Sequence, residues 1–473
     1  MKIILLNPPY NEEEMSGKTS LKRVSNVIPP LGLAYLAAVL EKEGYKDIKI
    51  IDCLLGLEHN KLIKILQEEK PDILGMMTTS TTFYSVVNVA KDVRKLLPKT
   101  VIVIGGPHVT SLPEEAMKHG DLFDVGITGE GEITLLEIVK TIDKKGWPTD
   151  LEEVDGLVYK KEDKIVFTNP RKYIENLDDI PHPARHLLPP LKNYHPTAAS
   201  YRKLPYAVMI TSRGCPSLCT FCDRSIFGVI YREYSAEYVL EEIDELINKY
   251  GVREIRFFDD TFTLNKRRLF KICDGLKKYN LSWTCLTKAN LINEEMLRKM
   301  KEAGCWQVLY GLESGDERIM KLLKKGTTVE DNERAVELTH KVGLSVRADF
   351  IIGTPGETYE SARKTVDFAK RMNMDFAHFN KFTPYPGTEI YNNLIEHGSK
   401  FNFDIPYSQL DHKHSIYVPE SINLSEGEYG EFINGLYKEY YLRPQYIFKQ
   451  IFGIRSFEDI KRLFNGFLAI IGL

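Results

Sequence analysis

Two patterns of apolar and polar positions succeed one another along the chain. Through residue 145, short runs rich in Ile and Val (KIILLN, IKIIDC, DILGMM, VIVIGG and DVGIT) alternate with longer stretches. Those stretches, such as LGLAYLAAVLEKEG and YSVVNVAKDVRKLL, carry apolar residues at three- and four-residue spacing. The short runs predict strands buried on both faces, and the stretches predict amphipathic helices. Five strands joined by crossover helices predict an α/β domain with a doubly wound parallel sheet, whose ligands sit beyond the carboxyl ends of the strands. Residues 146–204 change character: GLVYKKEDKIVFTN predicts a hairpin, and DDIPHPARHLLPPLKNYHP a linker packed between two domains. From 205 to 390 a second series follows, with strands YAVMITS, EIRFFDD, SWTCLT, WQVLYGLE, SVRADFIIG and DFAHFNKF. Helices begin near Ser235, Asn265, Asn293, Val329 and Thr358, and Asn293 is followed by Glu294 and Glu295, a start signal. Six such units predict a partial (β/α)6 barrel, open on one side. Residues 391–473 predict a mixed, mainly helical tail rich in Tyr, Phe and Ile.

Composition narrows the class. The 473 residues carry 63 Lys and Arg against 66 Asp and Glu, a net charge of −3, which gives no electrostatic footprint for nucleic acid. The 43% hydrophobic content suits large globular cores, and no run of 18 apolar residues predicts a membrane span. The opening MKIILLNPPYNEEE does not read as a signal peptide, so a cytoplasmic enzyme is expected.

Seven cysteines, an odd and mostly scattered set, argue against a disulfide framework. Three of them, Cys215, Cys219 and Cys222, follow the first strand of the second series in the spacing C-x3-C-x2-C. Thiolates at such intervals can hold one corner of an iron–sulfur cube and leave one iron open. A zinc site needs a fourth ligand and usually paired two-residue spacings, and a merely buried cluster is the plainest alternative. The isolated Cys53, Cys273, Cys285 and Cys305 sit mostly in strand or helix patterns, where a thiol behaves as a small apolar residue.

The C-x3-C-x2-C motif after the first strand of a partial βα barrel resembles the radical S-adenosylmethionine (SAM) superfamily. That resemblance implies a 4Fe-4S cluster on the three cysteines, SAM on the open iron, and a 5′-deoxyadenosyl radical. Carried over by position, Phe221 resembles the aromatic beside adenine. Asp259 and Asp260 in Phe-Phe-Asp-Asp stand where the family has its SAM-amino motif, commonly Gly-Gly-Glu. Glu313 in Gly-Leu-Glu-Ser matches a polar contact to SAM, Arg347 a partner for its carboxylate, and Gly353 in Ile-Gly-Thr-Pro-Gly-Glu the adenine-side turn. Taken as residues alone, each also suits an N-cap, a turn or an ion pair.

The first domain, with Pro-Pro-Leu-Gly-Leu-Ala-Tyr-Leu-Ala at 29–37, Gly-Gly-Pro-His at 105–108 and Gly-Glu-Gly-Glu at 129–132, resembles the flavodoxin-like, cobalamin-binding domain of class B radical SAM methyltransferases. The strand-end residues Asn7, Pro8, Thr79, Ser80, Thr81, Gly105, Gly106, His108, Gly129 and Glu130 are its candidate cobalamin contacts. The motif Asp-x-His-x-x-Gly is absent, so the resemblance implies base-off cobalamin without a histidine on cobalt; a loop or helix-start role is the alternative for His108. No strand-linked G-x-G-x-x-G supports a dinucleotide reading.

These resemblances imply methyl transfer to an unactivated carbon of a small-molecule or lipid substrate, with a ferredoxin or flavodoxin as electron donor. A cobalamin-dependent radical cyclase, and a first domain that only docks substrate or partner, are the alternatives. No catalytic residue is singled out. In the tail, Ile451, Phe452, Ile460, Leu463 and Phe464 share one helical face, which suits either packing on the barrel mouth or peripheral contact with a membrane surface.

Overall fold

A computed structural model describes residues 1–9, 27–194, 196–399, 417–452, 454 and 457–472. The first strand, β1 (Ile3–Asn7), is buried at all five positions and pairs in parallel on both sides, with β2 (Ile48–Asp52) and β3 (Ile73–Met77). With β4 (Val101–Gly105) and β5 (Val125–Ile127), the parallel strands run in the order β2-β1-β3-β4-β5. Alternate side chains feed two cores: Ile3 and Leu5 meet the helices Leu31–Lys42 and Gly131–Lys145, while Ile4 and Leu6 meet His59–Glu69 and Phe83–Leu96. Strands buried on both faces are why these runs read as continuous apolar stretches. The order reverses between β1 and β3, which makes their carboxyl ends the crevice of this fold.

The hairpin expected in the linker belongs to this sheet. Strands β6 (Leu157–Lys161) and β7 (Lys164–Phe167) add antiparallel beyond β5, with Gly126 opposite Val158, so the sheet continues past residue 145. After it, the connector packs between the two halves. Ala184 N donates to Ala34 O at 3.0 Å, Tyr194 Oη donates to Asp52 Oδ2 at 2.9 Å, and buried Arg185 pairs with Glu242 at 2.6 Å. One hydrophobic core therefore runs from the first sheet into the second domain.

The second domain is six parallel strands: β8 (Tyr206–Met209), β11 (Glu254–Phe257), β12 (Ser282–Thr287), β13 (Cys305–Glu313), β14 (Ser345–Ile352) and β15 (Phe376–Lys381), hydrogen-bonded in that sequence. A small antiparallel pair, β9 (Ser212–Arg213) and β10 (Arg232–Glu233), brackets the cysteine loop. Helices start close to the positions expected, and Ser235, Asn265, Asn293, Thr328 and Thr358 each cap one by accepting from a first-turn amide. The open edge at β15 is covered by the helix Glu426–Tyr441. Tyr437 Oη accepts from Phe379 N at 3.1 Å, while Tyr441 Oη accepts from Ala377 N at 3.0 Å and donates to Ala377 O at 2.8 Å. The Tyr-rich tail thus satisfies edge groups that a further strand would otherwise pair.

Candidate functional site

The three cysteines lie on one loop at the carboxyl end of β8, and all three line a single cavity of about 590 Å³. None is in a disulfide, whereas Cys53, Cys273, Cys285 and Cys305 are buried in the cores, away from it. Burial, reinforced by Asp260, pushes the Cys222 thiol up to about 12; burial also raises Cys219, opposed by Lys325 and Lys288. Among the described residues no three His, Cys, Asp or Glu side chains converge on a point fit for a single ion. Three thiols on one wall, with no fourth cysteine in reach, fit a cluster that keeps one metal open better than a closed zinc site.

The same cavity holds charges of both signs. Asp260, Glu313 and Asp349 line it, as do Lys288 and Lys325. Glu313 ends β13 at φ +62, where the register with β14 slips, and its Oε1 accepts from Lys325 Nζ at 2.6 Å. A Cβ at Gly311 would collide with that carboxylate and stand 3.0 Å from Lys325 Nζ, so the glycine makes room for the pair. Burial works against the charge of Lys325, yet Glu313 holds its pKa above the ordinary lysine value. Lys288 Nζ donates to Ser217 Oγ at 3.0 Å and to the Lys325 carbonyl at 2.8 Å, and Lys325 also lies 5.7 Å from the Phe221 ring. Burial likewise opposes ionisation of Asp349, but a hydrogen bond from His378 and the charges of Arg347 and Arg256 keep it below the usual carboxylate range. Carboxylates, ammonium groups, an aromatic face and thiols in one cavity fit a zwitterionic ligand such as SAM beside a cluster.

Three of the residues expected there stand elsewhere. Asp259 faces away from the cavity: its Oδ1 accepts from Thr211 N at 3.0 Å, Thr211 Oγ1 at 2.9 Å and Ser212 Oγ at 2.5 Å, bracing the chain that leads into the cysteine loop. Arg347 enters β14 too early to reach the mouth, and contacts Ser200 Oγ and His378 Nδ1 at the barrel floor instead. Gly353 at φ +88 packs against the Tyr429 hydroxyl, and its amide is held by Glu357, whose carboxyl burial pushes up to about 7. Conversely, Lys288, Lys325 and Asp349 carry no sequence motif and are brought in only by the fold.

In the first domain, Thr79, Ser80 and Thr81 sit half-buried at the end of β3, Pro8 is buried just beyond β1, and a Cβ at Gly129, φ +75, would meet nothing within 4 Å. This open, hydroxyl-bearing crest fits a broad polar group such as a corrin. Gly105 stands half-buried at the end of β4, while Gly106 at φ +116 is packed tight, since a Cβ there would lie 2.6 Å from Thr78 O. Two further candidates turn inward. Asn7 Nδ2 donates to Asp52 Oδ1 at 2.8 Å, and Glu130 accepts from Arg213 and Arg232 of the second domain. His108 is buried with Nδ1 3.3 Å from Ser80 Oγ and its ring 4.1 Å from Phe83; burial lowers its pKa to about 4 and leaves the imidazole neutral. The crest meets the cysteine loop where Ser111 Oγ donates to Asp223 Oδ2 at 3.1 Å.

Comparison with known proteins agrees with both halves. Residues 209–369 match the family model described as the radical SAM superfamily, and residues 17–139 the B12 binding domain. An uncharacterized methyltransferase of Pyrococcus horikoshii is 38% identical over 99% of this chain and 98% of its own length. The cytidylyl-2-hydroxyethylphosphonate methyltransferase of Streptomyces wedmorensis is 29% identical, covering 84% of this chain and 82% of that protein. The anaerobic magnesium-protoporphyrin IX monomethyl ester cyclase of Cereibacter sphaeroides is 27% identical over 94% of this chain and 71% of that protein. Among solved structures, the cobalamin-dependent SAM radical enzyme OxsB with aqua-cobalamin and SAM bound superposes with a TM-score of 0.74 at 18% identity, over 98% of this chain and 70% of that one. The SAM methyltransferase TsrM of Kitasatospora setae, with cobalamin and a 4Fe-4S cluster bound, gives 0.67 at 20%, over 84% and 75%. At such identities these two likenesses are of fold.

Proposed function

This chain belongs to the radical SAM superfamily, among the members that also carry a B12 binding domain, and we propose that it methylates an unactivated carbon of a small-molecule or lipid substrate. The observation that carries the reading is the single cavity in which three cysteine thiols stand beside carboxylates and ammonium groups, next to the crest of the first domain. When bound, the cluster and SAM supply a 5′-deoxyadenosyl radical, and cobalamin, in its base-off form, a transferable methyl group. Cys215, Cys219 and Cys222 hold the cluster. Asp260 and Glu313 accept from the SAM ammonium, and Lys325 and Lys288 hold its carboxylate in the role first expected of Arg347. Phe221 flanks the adenine. Leu286, Ile351 and Phe382 give the cavity apolar walls that exclude water from a reactive radical. Asp349, an ionised carboxylate deeper in the barrel, faces the substrate. Thr79, Ser80, Thr81 and Gly129 meet the corrin, while Asn7 and Glu130 shape its crevice from behind. A ferredoxin or flavodoxin delivers the electrons. A lipid surface is the partner of the tail, whose Phe448, Phe452 and Phe464 are exposed.

The test is anaerobic expression with cobalamin supplied, followed by iron, sulfide and cobalt analysis with a Cys219→Ala control. About four irons and one cobalt per chain are expected, with iron lost and cobalt kept in the variant. Turnover should then give 5′-deoxyadenosine and S-adenosylhomocysteine together with a product heavier by one methyl. Four irons without cobalt, or a product lacking that methyl, would overturn the methyltransferase reading.

A further inference from the structure

The cysteine loop is not held by the barrel alone. Its ends form the β9–β10 pair, in which Arg213 stands opposite Arg232. Both guanidinium groups are buried, and both turn toward the first domain. Arg213 donates to Glu130 Oε1 at 2.8 Å and to Glu132 Oε1 at 2.6 Å, while Arg232 Nη1 donates to the two oxygens of Glu130 at 3.0 and 2.9 Å. The Ile174 amide adds a bond to Glu130 Oε2 at 2.9 Å. No side chain of the four is more than 8% exposed. Two adjacent buried cations need compensating charge, and here both carboxylates come from the other domain.

The path from this network to the cysteines is short and stiff. Cys215 lies two residues beyond Arg213, separated by Gly214 at φ +80, where a Cβ would collide with Ile230 O. The Cys215 amide donates to Gly228 O at 3.3 Å, which closes the loop on itself. On the other side, Glu130 directly follows Gly129, the open glycine on the crest. We propose that Glu130 is a positioning residue for the cysteine loop: through Arg213 and Arg232 it fixes both loop ends from the first domain, so that cluster retention and cobalamin binding are energetically linked. The second half of this statement rests on the cobalamin reading above. By linkage, whatever cluster occupancy does to cobalamin affinity, cobalamin must do in equal measure to the cluster.

The experiment uses the full chain. Cluster loss to an iron chelator is timed in anaerobically reconstituted, cobalamin-free protein, for wild type and Glu130→Gln, with circular dichroism melts alongside. The expected result is loss at least about tenfold faster in Glu130→Gln at unchanged secondary structure, with partial rescue in Glu130→Asp. Should Glu130→Gln fail to fold, Arg232→Lys keeps the charge but offers no fork of donors, and reads the same rate. Hydroxocobalamin is then titrated into cluster-loaded and cluster-free wild type. The dissociation constants should differ by at least about fivefold, a ratio that falls to one in Glu130→Gln. An unchanged chelation rate overturns the positioning role, and equal constants in wild type overturn the linkage. Absence of cobalamin binding in both forms overturns the linkage together with the B12 reading, while the chelation rate still decides for or against Glu130.

Discussion

Lys325 and Arg347 show how position within an element decides which cation serves the cavity. Arg347 lies early in β14, its guanidinium engaged by Ser200 and His378, whereas Lys325 lines the cavity with Glu313 as partner. A charged hydrogen bond contributes roughly 1.5–3 kcal/mol. Lys325→Met should therefore weaken SAM binding by about 10- to 100-fold, measured by equilibrium dialysis on cluster-loaded protein, while Arg347→Met should change it less than about threefold. Equal losses in the two variants would return the carboxylate to Arg347. The cysteines, Phe221, Asp260 and Glu313, which share that cavity, could be singled out in the sequence because each sits at a strand end or in a motif of fixed spacing. Lys288 and Lys325 were not: Lys288 follows β12 directly but sits in no motif, and Lys325 comes from a loop that only the folded barrel brings to the cysteine loop. Asp259 misled for a related reason: adjacent residues leaving a strand point opposite ways, so only one of an Asp-Asp pair can face the cavity.

At the scale of elements, the strand runs and helix caps were readable because their periods and capping residues are local. What the pattern did not contain was pairing. Nothing in GLVYKKEDKIVFTN says that its hairpin joins β5, and the tyrosines of 429–446 read only as an aromatic tail. Their function lies in the hydroxyls, which bond the edge strand β15 at Ala377 and Phe379, the backbone just before it at Met374 and Asp375, and the Ile352 carbonyl that ends β14. Removing a buried partner leaves an amide unsatisfied, at about 1–3 kcal/mol. Tyr441→Phe and Tyr437→Phe should each lower the unfolding free energy by roughly that amount and speed hydrogen exchange at Ala377 and Phe379, with little effect at β11 amides. Uniform acceleration across the barrel would mean that the helix does not protect this edge locally.

For the whole molecule, the Gly-Glu-Gly-Glu motif was visible from sequence while its role was not, because a buried ion pair between domains leaves no periodic trace. The tail poses the same question toward the outside. Residues 442–473 hold Arg443, Lys449, Arg455, Lys461 and Arg462 against Glu458 and Asp459, a balance of +3 on a chain whose total is −3. The helix Phe457–Ile471 packs against the turn Ala198–Ser200 and the helix Glu426–Tyr441, burying Ala469, and its other side is open. Ile460, Phe464, Phe467 and Ile471 line that side at helical spacing, and Phe448 and Phe452 of the preceding helix are 61% and 85% exposed. Among the described residues no helix is long and apolar enough to cross a membrane. Aromatic side chains on short helices in a locally basic segment suit a helix pair lying in an anionic interface rather than spanning it. Burying even part of three phenylalanines contributes a few kcal/mol, enough for binding that salt weakens without abolishing. The full chain should float with vesicles containing anionic phospholipid and less with neutral ones. Phe448→Ser, Phe452→Ser and Phe464→Ser combined should reduce flotation at least about tenfold. Flotation that the triple variant leaves unchanged, or that neither vesicle supports, would assign this face to another partner, and a concentration-dependent dimer abolished by the same three substitutions would identify that partner as a second copy of the chain.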